Sequence, residues 1–211
     1  MIINKPFASH IDQNNQYTTH LHFANGAVKK FYMRGSVAWP DGMKEGFALM
    51  AGWDQIEKVV VIFEQFRFWT IPHWSNADGT IHKREDGQGY NLGLSQFIAE
   101  SLSRYQCASY FYGGQHIDTH TRYGRELYGV ATRRLELIEV PYVKEVGPNL
   151  LLEKINTVKF TMEADSPLSK SVIQFVNTQA AGAEYDNATL ALMTLLAGFE
   201  FQPWVDNEIH R

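Results

Sequence analysis

His116, Asp118 and His120 stand two residues apart in the segment CASYFYGGQHIDTHT, which runs from Cys107 to Thr121. Two imidazoles and a carboxylate are a ligand set for Zn²⁺, Mn²⁺ or Fe²⁺. In an extended segment, side chains two positions apart point to the same side, so all three could converge on one ion. Asp54, Glu64, Glu100 and Asp186 are the candidate fourth ligands. The competing role is structural: His116 and His120 cap a helix starting near Thr121 and hydrogen-bond to the loop backbone. The structural role is the commoner one for such residues, but the segment is the best functional address in the chain. An apolar, aromatic run opens through Gly113-Gly114 into the loop, and in helix-flanked sheets ligands collect where a strand ends.

Glu64 is a charged residue inside the apolar run VVVIFEQFRFW. A buried, unpaired carboxylate is costly, so Glu64 either faces solvent or pairs, with Arg67 or Arg34 as partners. In apolar surroundings it is also a catalytic-acid candidate. Phe66-Arg67-Phe68-Trp69 with His73-Trp74 interleaves aromatics and a cation, the pattern of a base-stacking platform or a protein contact, with core packing as the plain alternative. Arg122, Arg125, Arg133 and Arg134 face only Glu126 between residues 122 and 134, which makes them the candidate DNA-binding residues, or otherwise a solvated face. Cys107 opens an apolar strand without a basic neighbour and reads as a packing thiol. No serine sits in a nucleophile elbow, and no glycine motif cradles a phosphate. The chain has no Walker sequence, so it is not expected to carry an ATPase motor.

The chain has 211 residues, 45% hydrophobic and 20% charged, enough for one large domain with a substantial core. A net charge of −4 argues against generic polyanion binding, although one basic face can coexist with an acidic remainder. One cysteine excludes an intramolecular disulfide and suggests a reducing compartment. The opening MIINKPFASH has only short apolar runs, and nothing approaches the roughly 18 apolar residues of a membrane span. The expectation is a cytoplasmic protein without a membrane partner.

The elements that must position these residues follow from periodicity. Residues 1–16 are polar and irregular. Tyr17 to Phe23 alternates, Asn25-Gly26 is a hairpin signal, and Ala27 to Trp39 returns. Gly46 to Trp53 and Val59 to Ile71 are strands, with a short extended piece at Thr80 to Lys83. Residues 92–105 form an amphipathic helix with Asn91 near its cap. Ala108 to Tyr112 is a buried strand, Thr121 to Tyr128 a helix, and Leu135 to Val143 is extended. Pro148 starts a helix to Ile155, Val158 to Met162 is a strand, and Ser166-Pro167 opens another helix. The last helix begins at Asp186-Asn187, runs to Gly198 and is apolar nearly all round, hence buried. Strands first and alternation afterwards describe an α/β mixed sheet.

This order resembles the ribonuclease H-like fold, and more narrowly the nuclease domain of the large terminase subunits that package DNA in tailed phages. Four stretches carry the resemblance: the three opening strands, SVAWPDG, GFALMAGWD and KVVVIFEQFRFWTI; the helix FIAESLSRYQ leading into CASYFYGG; NLLLEKINTVKFTMEAD with SVIQF; and the closing YDNATLALMTLLAGFEF. The last is similar to the acid-capped final helix of terminase and RuvC-type nucleases. The resemblance implies a domain over 34–201, an N-terminal extension and β-hairpin over 1–33, and a tail over 202–211. It also implies three carboxylates holding two divalent ions. By position the first falls near Val37, with no acid before Asp41, and the second at Tyr112. Only Asp186 matches, while Glu100 lies where ribonucleases H carry a helix acid. A neutral phenol and an aliphatic side chain are poor Mg²⁺ ligands. The expectation is thus a nuclease-fold subunit of viral DNA packaging, acting in a host cytoplasm without ordinary two-metal cleavage. Its partners would be double-stranded DNA and a packaging ATPase or portal-type protein. It needs no cofactor, and if active it is a Mg-, Mn- or Zn-dependent endonuclease, with the His116, Asp118 and His120 site as the alternative.

Overall fold

A computed structural model describes residues 5–13, 18–71, 93–130, 135–178 and 185–201. The elements are β1 (Ala8–Ile11), β2 (Thr18–His22), β3 (Val28–Ala38), β4 (Gly46–Asp54), β5 (Val59–Phe68), α1 (Leu94–Tyr105), β6 (Ser109–Tyr112), α2 (Ile117–Val130), β7 (Glu136–Glu139), α3 (Val143–Thr157), β8 (Lys159–Thr161), α4 (Pro167–Thr178) and α5 (Asn187–Phe201).

The three antiparallel strands β3, β4 and β5 form a meander, as their alternating and continuous apolar runs require. The later strands then join in parallel: β6 beside β3, β7 beside β6, and β8 on the far side of β5. The sheet therefore reads β8-β5-β4-β3-β6-β7. This is the mixed α/β sheet expected of a ribonuclease H-like fold, with β3 and β4 at its centre. The hairpin of β1 and β2 pairs with the first half of β3, on the same edge that β6 uses further along.

Helices cover both faces. α1 and α2 pack on one side through Phe97, Ile98, Tyr105 and Leu127, against Met33, Val37, Met50 and Phe63. The other side holds α3, α4 and α5 against Phe47, Leu49, Val60 and Ile62. Leu192, Met193, Leu195 and Leu196 of α5 are at most 1% exposed, and burial stabilises each by about 1.5–3 kcal/mol. Two glycines make room for the aromatics of β6. A Cβ on Gly35 would lie 2.1 Å from the Tyr110 ring, and one on Gly198 would lie 2.4 Å from Phe111. Tyr110 and Phe111 thus enter opposite cores directly against backbone.

Several boundaries differ from the sequence reading. α2 begins at Ile117, four residues before Thr121, and α3 begins at Val143, leaving Pro148 inside it. Pro148 forgoes only one helical N–H, while buried Val143, Gly147 and Leu151 give the helix its packed face. The extended stretch expected to Val143 ends at Glu139. Residues 1–16, expected to be irregular, contain β1, which β2 recruits through pairing rather than through apolar alternation. β5 ends at Phe68, and the carbonyls of Thr70 and Ile71 accept hydrogen bonds from Leu94 and Ser95 at the start of α1. Asn91 and the piece at 80–83 lie outside the described residues, as does the tail 202–211. Among the described residues no helix is long and apolar enough to cross a membrane.

Candidate functional site

Parallel pairing of β3 and β6 sets Val37 directly opposite Tyr112 at the carboxyl end of the two central strands. Val37 is buried, and Tyr112 is partly buried on the α1–α2 side. Immediately beyond, the Trp39 backbone is clamped by two amide side chains. Trp39 N donates to Gln115 Oε1 at 2.6 Å, and Gln115 Nε2 donates back to Trp39 O at 2.7 Å. Asn187, the first residue of α5, donates from Nδ2 to the same carbonyl at 3.1 Å and to Glu45 O at 2.6 Å. Gly114 at φ 70° lets the chain turn from β6 into Gln115.

Aromatic rings wall this end of the sheet. The Trp39 indole stacks near Tyr123, centroids 5.8 Å apart, and its Nε1 donates to His120 Nδ1 at 3.2 Å. That bond leaves the neutral His120 ring protonated on Nε2. Burial lowers the pKa of His120 from its ordinary value, with Glu139 opposing. Burial also pushes the Tyr112 phenol up to about 12, helped by Glu139, whose Oε2 accepts its hydrogen bond at 3.4 Å. Both rings are therefore neutral at pH 7.

The helical start at Ile117 changes the fate of the three residues singled out for metal binding. Successive helical residues turn by about 100°, so Asp118 and His120 point to opposite sides rather than the same one. His116 and Asp118 are solvent-exposed and 3.6 Å apart, whereas His120 turns inward onto Tyr112 and Trp39. The extended geometry that would gather them is absent. Among the described residues no three His, Cys, Asp or Glu side chains are grouped to hold a metal.

The other candidates are dispersed. Asp186 caps α5: its Oδ1 accepts from Thr189 N at 2.8 Å, and its Oδ2 accepts from the Ser171 hydroxyl. Glu64 pairs with Lys5 at 2.6 Å and with Arg104, and it accepts from Tyr105 Oη at 2.8 Å. Neither expected partner holds it, since Arg67 reaches Glu45 and Arg34 donates to Met33 O. Glu100 is exposed and accepts from Gln96. Arg122 and Arg125 are exposed on α2, with Arg122 over the Tyr123 ring at 5.3 Å. Arg133 and Arg134 fall outside the described residues, as do His73 and Trp74. Phe66 stacks on Phe97, and Phe68 is buried, so these rings belong to the core. Burial raises the pKa of the Cys107 thiol, which suits a packing role.

Mg²⁺ asks for hard, charged oxygen donors in octahedral array. Val37, Tyr112, Gln115 and Asn187 offer an alkyl group, a phenol and two amides whose carbonyl or N–H groups are engaged. They do not fit a two-metal centre. The sequence reading singled out Tyr112 and the Val37 region, named Asn187 only as the neighbour of Asp186, and did not single out Gln115. The available signal for Asn187 was its place beside Asp186 at a helix start.

No protein-family model matches this chain, and no curated protein does. Among solved structures the chain is similar to the fowlpox virus Holliday junction resolvase. Bound to junction DNA, that structure gives a TM-score of 0.39 at 10% identity over 81% of this chain and 99% of that one. A second structure of that resolvase gives 0.38 at 10% identity over 80% of this chain and 97% of that one. The yeast mitochondrial Holliday junction resolvase gives 0.42 at 10% identity over 84% of this chain and 81% of that one. At such low similarity, the fold assignment stands on strand order and register.

Proposed function

We propose that this chain is a nuclease-fold protein that binds duplex DNA without two-metal hydrolysis. The pairing of Val37 with Tyr112 carries this reading, because a ribonuclease H-like nuclease keeps charged oxygens at those two strand ends. Amides tied to backbone close the same rim, and neutral rings fill it. Arg122 and Arg125, exposed on the helix that leaves the rim, supply phosphate contacts together with Arg133 and Arg134. The narrower role we propose is in viral DNA packaging, beside a packaging ATPase or portal-type protein. It is supported by the sequence resemblance to terminase nuclease domains.

The test is a duplex gel shift at increasing salt, with plasmid cleavage followed in Mg²⁺ and Mn²⁺. Binding should weaken with salt by a log–log slope of about 0.9 per phosphate contact, and Arg122→Ala with Arg125→Ala should remove about two such contacts. Absence of binding at low salt would refute DNA recognition. Cleavage abolished by Asp186→Ala would refute the loss of two-metal chemistry. Failure to associate with the packaging ATPase and portal protein of the same source would remove the packaging role alone.

A further inference from the structure

The N-terminal hairpin collects three histidines that lie far from the sheet end described above. In the β1–β2 register His10 stands opposite His20, and Ala8 stands opposite His22. Alternation then puts His10, His20 and His22 on one face, with Asp12 beyond them. The His22 Nε2 and His10 Nδ1 atoms are 3.0 Å apart. The His20 ring lies parallel to that of His10, centroids 4.9 Å apart and planes within 4°. His20 is itself held by Asp12, Nε2 to Oδ2 at 3.2 Å, and Asp12 also takes the Lys30 ammonium at 2.6 Å.

We propose that His10 and His22 chelate a divalent transition-metal ion of the Cu²⁺ or Ni²⁺ type. Metal–imidazole bonds of about 2.0–2.1 Å spanning nitrogens 3.0 Å apart enclose an angle of roughly 95°. That is close to the cis angle of square-planar or octahedral sites, and it is narrow for tetrahedral Zn²⁺. The proton now shared between the two rings moves to the far nitrogen of its own ring, so two neutral imidazoles each present a lone pair. In-plane ring rotations turn those lone pairs off the line between the two nitrogens and toward the ion, and water fills the remaining positions. His20 is a positioning residue: flat against His10 and anchored by Asp12, it holds the plane of one ligand ring. No third His, Cys, Asp or Glu side chain among the described residues joins them. The site is therefore a two-nitrogen chelate open to solvent, able to accept a further donor from a ligand.

Calorimetric titration of the untagged full chain with Ni²⁺ or Cu²⁺ alone, at about pH 7.5, where imidazole is unprotonated, tests this. One ion should bind per chain at this site. His10→Ala and His22→Ala should each weaken it at least about tenfold, and His116→Ala should leave it unchanged. Affinity should fall at acid pH, because only a neutral imidazole offers the metal a lone pair. The Cu²⁺ electron paramagnetic resonance spectrum of the wild-type chain should carry two nitrogen ligands, a readout independent of how any variant folds. Failure to bind either ion, a spectrum without nitrogen, or binding unaltered in both His10→Ala and His22→Ala would overturn the proposal.

Discussion

His120 lies flat against Tyr112, with ring centroids 3.4 Å apart and planes within 4° of parallel. Trp39 completes the contact from the other element, donating its indole N–H to His120 Nδ1. The arrangement needs an unprotonated Nδ1, so the rim of the sheet depends on the charge state of one imidazole.

That dependence fixes the direction of a pH effect. Burial holds the folded-state pKa of His120 below its ordinary value, so the unfolded chain takes up this proton first as pH falls. The stabilisation is complete above about pH 6.5 and is lost as pH drops from there through the folded-state pKa. Thermal unfolding between about pH 7 and about pH 5 should show a smaller decline for His120→Gln than for the wild-type chain. Equal declines would show that the ring contributes nothing to the acid response.

Asn187 separates an amide clamp from a vestigial ligand. Asn187→Ala leaves the carbonyls of Trp39 and Glu45 without this donor and should cost about 1–3 kcal/mol in urea unfolding. Asn187→Asp places an anion against two carbonyl oxygens and should cost more than the alanine variant. A stabilising Asn187→Asp, or one that gains Mg²⁺-dependent cleavage, would contradict the assignment.

Glu64 should behave as a structural anion. Its removal strands Arg104 and the hydroxyl of fully buried Tyr105, so Glu64→Ala should lose about 1–3 kcal/mol. DNA binding in a gel shift should be unchanged once the fold is intact. A large change in DNA handling with unaltered stability would return Glu64 to the list of functional residues.

Gly35 is expected to tolerate no side chain. A methyl group there meets the Tyr110 ring at 2.1 Å, and that ring is enclosed on all sides. Gly35→Ala should destabilise by about 1–3 kcal/mol or more, and Tyr110→Leu should recover part of the loss in the double variant. Purely additive losses would place the strain elsewhere.

Much of the architecture was legible because it rests on long apolar runs. The three-strand meander, the amphipathic helix at 94–105 and the buried last helix follow from periods of two and 3.6 residues. The neighbourhood of Val37 and Tyr112 was implied by the resemblance to ribonuclease H-like nucleases, whose carboxylate positions fall there, and the two are paired in the sheet. Short polar elements were hidden. Ala8–Ile11 has no apolar alternation and becomes a strand only because Thr18–His22 lies beside it. Ile117 starts a helix in a run of His, Asp and Thr where no hydrophobic face announces one. The roles of Gln115 and Asn187 were invisible for another reason: an amide gains its role from the carbonyl it meets, 76 and 148 residues away in their case. The His10, His20 and His22 group likewise exists only once the hairpin register brings its two arms together.

Strand β3 changes partner halfway along its own edge, from β2 at Val28–Tyr32 to β6 at Gly35–Val37. The first pairing joins chain neighbours across a short turn, whereas the second must close a gap of some 75 residues against loop entropy. On sequence separation, the edge facing β2 is expected to close early and locally, and the edge facing β6 only once α1 docks and delivers Tyr112. Substitutions at the hairpin should therefore slow refolding, and substitutions at the rim should chiefly hasten unfolding.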